Sequence, residues 1–164
     1  MSDFYTEQLV KRKTPAKDIA LKGILILVTV FAFMLVFFIP IAIIAPVIMI
    51  CLDVFLFRNM DLEYEYLFVN GNLDIDKIMA KSKRKRAFEM TVNDLEVLAP
   101  SGAPELRQYQ SLKAQNYSSC TAEAETYEMI VTQNGSKKRI IFEPNSVIVD
   151  GFRMLAPRKV FVQR

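Results

Sequence analysis

Asp74 and Asp76 stand one residue apart in "NLDID". At strand spacing, two such carboxylates share a face roughly 7 Å apart. That pattern suits a divalent cation or carboxylate-only hydrolysis, but no third ligand is recognisable. The neighbouring "KSKRKR" (Lys81 to Arg86) favours the simpler reading of a solvated acidic face beside a basic turn. The chain has no histidine. That removes His-based acid–base catalysis, Ser–His and Cys–His nucleophile pairs, and most zinc sites. No Cys-x-x-Cys, Gly-x-Gly-x-x-Gly or phosphate-binding loop occurs either. The expectation is a protein that is not an enzyme and needs no cofactor or metal.

The remaining chemistry is ionic. Lys81, Lys83, Arg84, Lys85 and Arg86 form the most conspicuous basic run. Near an anionic leaflet each such group contributes about 1 kcal/mol, so the run is a candidate contact for lipid headgroups or a partner. A solvated loop that keeps the domain soluble is the competing reading. Nucleic acid is not expected, because the aromatic interleaving of the usual modules is missing. A second basic group, Lys11, Arg12, Lys13 and Lys17, lies near the N-terminus with Lys22, against Asp3, Glu7 and Asp18. It reads as a topology signal and headgroup anchor. Asp53 is the acid inside an apolar stretch, and so a candidate intramembrane polar contact. The alternative places it at the end of a span, near headgroups and Arg58.

These groups must be positioned by the elements around them. From Gly23 to Leu52 no charged residue occurs. A run of this length argues for membrane-spanning helix. Ile19 to Phe57 would make a straight helix of about 58 Å, against a hydrocarbon core of about 30 Å. Two spans fit better, with Pro40 and Pro46 ending or starting helices at an apex near residues 39–45. One kinked span and a re-entrant loop remain open, and the single span would put the C-terminal part outside the cell. Cys51 and Cys120 give no disulfide framework.

After Arg58 the period changes to two. "EYEYLFVNGNLDIDKIM" reads as two strands around Asn70–Gly71, with Tyr64, Tyr66 and Phe68 on one face. Those aromatics read as core rather than a ligand groove. "KSKRKR" reads as a turn and "AFEMTV" as a third strand. "NDLEVLAPSGAPELRQYQ" breaks into a loop and a short helix, and "AQNYSSC" is a plausible strand. "ETYEMIVTQNGSKKRIIFEP" repeats the strand–turn–strand device at Asn134–Gly135. A closing helix follows Asn145 or Ser146, with Val147, Ile148, Gly151, Phe152 and Leu155 as its apolar stripe and Pro157 as its stop. The divisions are a basic cytoplasmic segment over 1–18, a transmembrane helical hairpin over 19–58, and a mostly antiparallel β domain with a C-terminal helix over 59–164. The class is an α+β membrane protein with six or seven strands.

In this order of elements the chain resembles small bacterial membrane proteins with two transmembrane helices before a pleckstrin-homology-like domain. More narrowly, it resembles a family of short clostridial-type membrane proteins carrying a domain of unknown function. The residues behind the narrower likeness are "DLEYEYLFVNGNLDIDKIMAKSKRKR", "FEMTVNDLEVLAP" and "IIFEPNSVIVDGFRMLAPRKVF". The resemblance implies a cytoplasmic, membrane-tethered curved sheet or barrel capped by a helix, and it implies no activity. Two functions are expected to compete. One is a membrane-anchored interaction module in the bacterial cell membrane, both termini cytoplasmic, binding a protein partner, a second copy or anionic headgroups. The other is a small accessory subunit of a membrane complex or transporter, acting through its spans.

Overall fold

The computed structural model describes residues 5–162; Asp3, counted above with the N-terminal charges, lies outside them. The described chain forms two compact units, residues 14–62 with 79–83, and residues 5–13, 63–78 and 84–162.

The first unit is a helical hairpin. Helix α1 covers Ala16–Val36 and helix α2 covers Ile44–Met60, with a 3-10 turn at Pro40–Ile43 between them. The helices rise about 32 Å and 26 Å, close to the hydrocarbon thickness. Their apolar stretches have mean hydropathy 2.6 and 2.5, and only 11% of either is buried. A core helix of a soluble domain would be mostly covered. Neither proline breaks a helix. Pro40 opens the 3-10 turn and Pro46 sits in the first turn of α2, where an amide donor has no intrahelical acceptor. The apex needs no Gly, Asn or Asp, because its donors are satisfied locally. The amides of Phe37, Phe38, Ile39 and Ala42 bond to Met34, Leu35, Leu35 and Ile39 carbonyls. The less exposed positions of α1 recur at 25, 29, 32 and 36, and those of α2 at 46, 49, 53 and 56. This three- and four-residue spacing marks one facing stripe per helix.

The second unit holds two four-stranded sheets. The first has the order β1-β2-β3-β4, from Tyr5–Lys11, Leu62–Val69, Asn72–Met79 and Lys83–Thr91. The second has the order β5-β7-β8-β6, from Leu95–Pro100, Tyr127–Gln133, Ser136–Phe142 and Ala114–Asn116. The sheets do not close into a barrel. Both Asn-Gly turns form as expected, with positive φ at Asn70, Gly71, Asn134 and Gly135. Helix α3, Ser146–Leu155, is capped by the Asn145 side chain accepting from the Ile148 amide at 3.0 Å.

Several expectations change. Tyr5–Lys11 is a strand rather than a free basic segment, and it pairs antiparallel with β2 from Tyr5↔Val69 to Lys11↔Glu63. "LEVLAP" is strand β5, and β6 runs parallel to β8, so the second sheet is mixed. The basic turn is shorter than "KSKRKR": β4 begins at Lys83. In the closing helix Ile148, Gly151 and Phe152 are buried, but Val147 and Leu155 are exposed.

Tyr66 and Phe68 from the first sheet, Met129, Ile140 and Phe142 from the second, and Phe152 from α3 form the core. Tyr64 lies with them, so all three alternating aromatics of β2 are core. The buried Tyr66 hydroxyl donates to the Tyr117 carbonyl at 2.6 Å and accepts the Glu143 amide at 3.2 Å. Gly151 is required by packing. A Cβ there would stand 2.4 Å from the Phe68 ring. Gly151→Ala gains helix propensity of up to about 1 kcal/mol, but overpacking at a closed contact costs about 1–3 kcal/mol. The variant should therefore unfold at a lower temperature in detergent solution, and Phe68→Leu in the same chain should recover part of the loss. A midpoint raised by Gly151→Ala alone would show that the contact yields.

Candidate functional site

Ion pairing divides the basic run: Arg84 and Arg86 meet acids of neighbouring strands, and Lys83 and Lys85 do not among the described residues. Those acids are Glu65 on β2 and Asp74 and Asp76 on β3, each alternating with buried residues of its strand. Arg84 reaches Glu65 at 2.7 Å. Arg86 spans Asp76 at 2.6 Å, Asp74 at 3.0 Å and Glu89 at 3.1 Å. Asp76, chiefly through its hydrogen bond, pushes the Arg86 guanidinium above its ordinary range, and Asp74 adds a Coulombic pull. The two aspartates that suggested a metal pair are thus held in an ion-pair lattice. Lys81, Lys83 and Lys85 are exposed and make no ion pair among the described residues. Of the N-terminal group, Lys11 ends β1, Arg12 and Lys13 link it to α1, and Lys17 lies in the first turn of α1.

Asp53 lies within the hairpin. It is buried, and its Oδ2 is 2.6 Å from the Thr29 hydroxyl on α1, which also bonds the Leu25 carbonyl at 3.0 Å. Its other oxygen, Oδ1, is buried without a hydrogen-bond partner. Arg58 instead donates to the Ser82 hydroxyl at 3.3 Å. Thr29 was not singled out from the sequence. The available signal was that it is the polar side chain in the apolar run of α1.

A family model described as a bacterial PH-like domain (DUF6106) matches residues 2–162. The chain belongs to this family. No curated protein and no solved structure matches it. The family match spans both units, so the two apolar helices lie within the matched region.

The PH-like domain has open strand edges in principle, and most are covered. On β4 the Ala87 carbonyl accepts from the Tyr117 hydroxyl at 3.3 Å, and the Glu89 carbonyl accepts from Gln133 at 2.8 Å. On β5, Leu98 exchanges backbone bonds with Lys159 and Phe161 at 2.8 Å each. Strand β6 is only three residues long. Among the described residues, that leaves β1 as the uncovered edge of length, with Tyr5 and Leu9 exposed. A cleft of about 710 Å³ beside β4 is lined by Arg86, Glu89, Asp94, Gln133 and Lys138. Its polar groups satisfy one another. Gln133 reaches Asp94 at 3.3 Å, and Lys138 reaches Gln133 at 3.1 Å. Among the described residues, no three His, Cys, Asp or Glu side chains group to hold a metal.

Glu96 is also structural. Its carboxylate accepts from Lys137 at 2.8 Å, Thr132 at 2.5 Å and Tyr109 at 3.3 Å. The Lys137 bond first, then that of Thr132, hold its carboxyl below the usual glutamate range. A lowered folded value contributes stability above the unfolded pKa of about 4.3, lost as pH falls through the folded value. Glu96→Gln should therefore lower the thermal midpoint at neutral pH and flatten its decline below about pH 4. Identical acid profiles for the two chains would refute this role.

Proposed function

We propose that the protein is a membrane-anchored, non-enzymatic interaction module: a cytoplasmic PH-like domain split by a two-span hairpin, binding a protein partner or the anionic leaflet. The observation that carries the reading is the connectivity. The hairpin joins β1 to β2, adjacent strands of one sheet with continuous register. A chain that leaves and re-enters the same sheet crosses a bilayer an even number of times or not at all. Two apolar helices of spanning length supply two crossings. The positive-inside rule then assigns the side, from Lys11, Arg12, Lys13 and Lys17 before the hairpin and Arg58, Lys81, Lys83 and Lys85 after it. For a protein partner, the edge of β1 offers backbone groups to an added strand.

Reporters fused after Arg164, one fluorescent only in the cytoplasm and one active only outside, test the topology. The cytoplasmic reporter should be the active one. An external C-terminus would mean one crossing and would end this reading. Cross-linking in intact membranes should capture a partner or a second copy. Recovery of the monomer alone would leave the leaflet as the ligand.

The alternative, an accessory subunit acting through its spans, draws support from the unpartnered Asp53 Oδ1. On that reading Asp53→Leu lowers recovery of an assembled complex while insertion and abundance hold. A loss of abundance instead would assign Asp53 to the hairpin itself.

A further inference from the structure

The turn between β3 and β4 departs from the chain's own practice. The β2–β3 and β7–β8 turns use Asn-Gly, whereas here Ala80 and Lys81 take positive φ of 50° and 54°. Non-glycine residues in this region are disfavoured, and such strain marks functional positions when the surroundings enforce it. The surroundings do so here. The Ala80 amide bonds the Asp61 carbonyl at 2.9 Å and the Ser82 amide the Met79 carbonyl at 3.2 Å, holding the turn at the C-terminal end of α2.

Between this turn and α2 lies a cavity of about 300 Å³. Val54, Phe55 and Met79 form its apolar wall, and Arg58, Ser82 and Lys83 its polar mouth. Among the described residues, no carboxylate lines it. Arg58 and Lys83 make no ion pair among the described residues, in contrast to Arg84 and Arg86. The Ser82 hydroxyl already faces Arg58 at 3.3 Å. Val54 and Phe55 are 53% and 64% exposed, continuous with the outer apolar surface of α2. Arg58 closes the apolar stretch Pro40–Arg58. A cation there stands at headgroup level, with its stem along hydrocarbon.

The geometry points to a binding site for one anionic phospholipid. Its phosphodiester sits between the Arg58 guanidinium and the Lys83 ammonium and accepts from the Ser82 hydroxyl. An acyl chain runs along Val54 and Phe55. The helix C-terminus itself repels an anion, so the two cations carry the attraction. Arg58 supplies the planar fork suited to phosphate oxygens, and Lys83 a point charge. The inference rests on α2 crossing a membrane, which topology mapping tests separately in cells.

The test uses the purified full chain in detergent, read by native mass spectrometry with added phosphatidylglycerol or phosphatidylcholine. The wild-type chain should retain one phosphatidylglycerol preferentially. Arg58→Gln with Lys83→Gln should weaken that retention at least tenfold, while Arg153→Gln with Arg158→Gln, an equal loss of charge at exposed positions elsewhere in the chain, should not. Arg58→Lys should restore part of the binding. Should the double variant fold poorly by circular dichroism, Lys83→Gln alone carries the test, since Lys83 is exposed. Equal losses in both double variants would reduce the effect to general charge and overturn the site. So would equal retention of phosphatidylcholine. Displacement of the lipid by millimolar inorganic phosphate would assign the site to a free anion and overturn the lipid assignment.

Discussion

The pairing of β1 with β2 governs the rest of the molecule. Seven residue pairs, Tyr5↔Val69 through Lys11↔Glu63, bring together chain segments separated by the whole hairpin. Without that ladder the first sheet loses an edge strand, and the two ends of the hairpin lose their common anchor. With it, α1 and α2 begin and end at one sheet. The connections are short: Arg12 to Pro15 on one side and Asp61 on the other. In chain order the hairpin occupies the place of a β1–β2 loop.

Within that frame, ionic groups follow two regimes. On the outer face of the first sheet, acids and arginines neutralise each other, as Arg84 and Arg86 do with Glu65, Asp74 and Asp76. Exposed pairs of this type contribute little each, typically under about 1 kcal/mol, but they remove the arginines from the pool of free charge. Lys81, Lys83, Lys85 and Arg58 lack such carboxylate partners among the described residues. A count of basic residues therefore overstates the free charge of this surface, and the ion pairs of the first sheet determine which groups remain.

What the sequence disclosed was mostly local. The Asn-Gly turns, the Asn145 cap, the apolar spans and the inward aromatics of β2 each follow from a few adjacent residues. What it concealed depended on distant partners. Strand β1, "YTEQLVK", buries only Val10 and carries almost no apolar alternation, so its extended form comes from the ladder to β2. Strand β5 was hidden by the proline at its end, an acceptable place for proline on a sheet edge. "KSKRKR" resembled a turn because its charges are consecutive, yet Arg84 and Arg86 belong to a strand and meet acids on β2 and β3. The Thr29–Asp53 contact required the relative register of two helices, which hydropathy does not encode. The reason for Gly151 in the closing helix, the Phe68 ring packed where its Cβ would stand, lies in a distant strand.

The β1–β2 ladder also has a consequence in time. Strand β1 leaves the ribosome first, but its partner follows only after the hairpin has been made, about fifty residues later. At about 5–20 residues per second, that is a delay of roughly three to ten seconds. Through that interval β1 has no partner strand in its sheet. Closing so long a loop slows folding, so the β1–β2 ladder carries the largest loop-closure cost of the pairings in the first sheet, the others being hairpins of neighbouring strands.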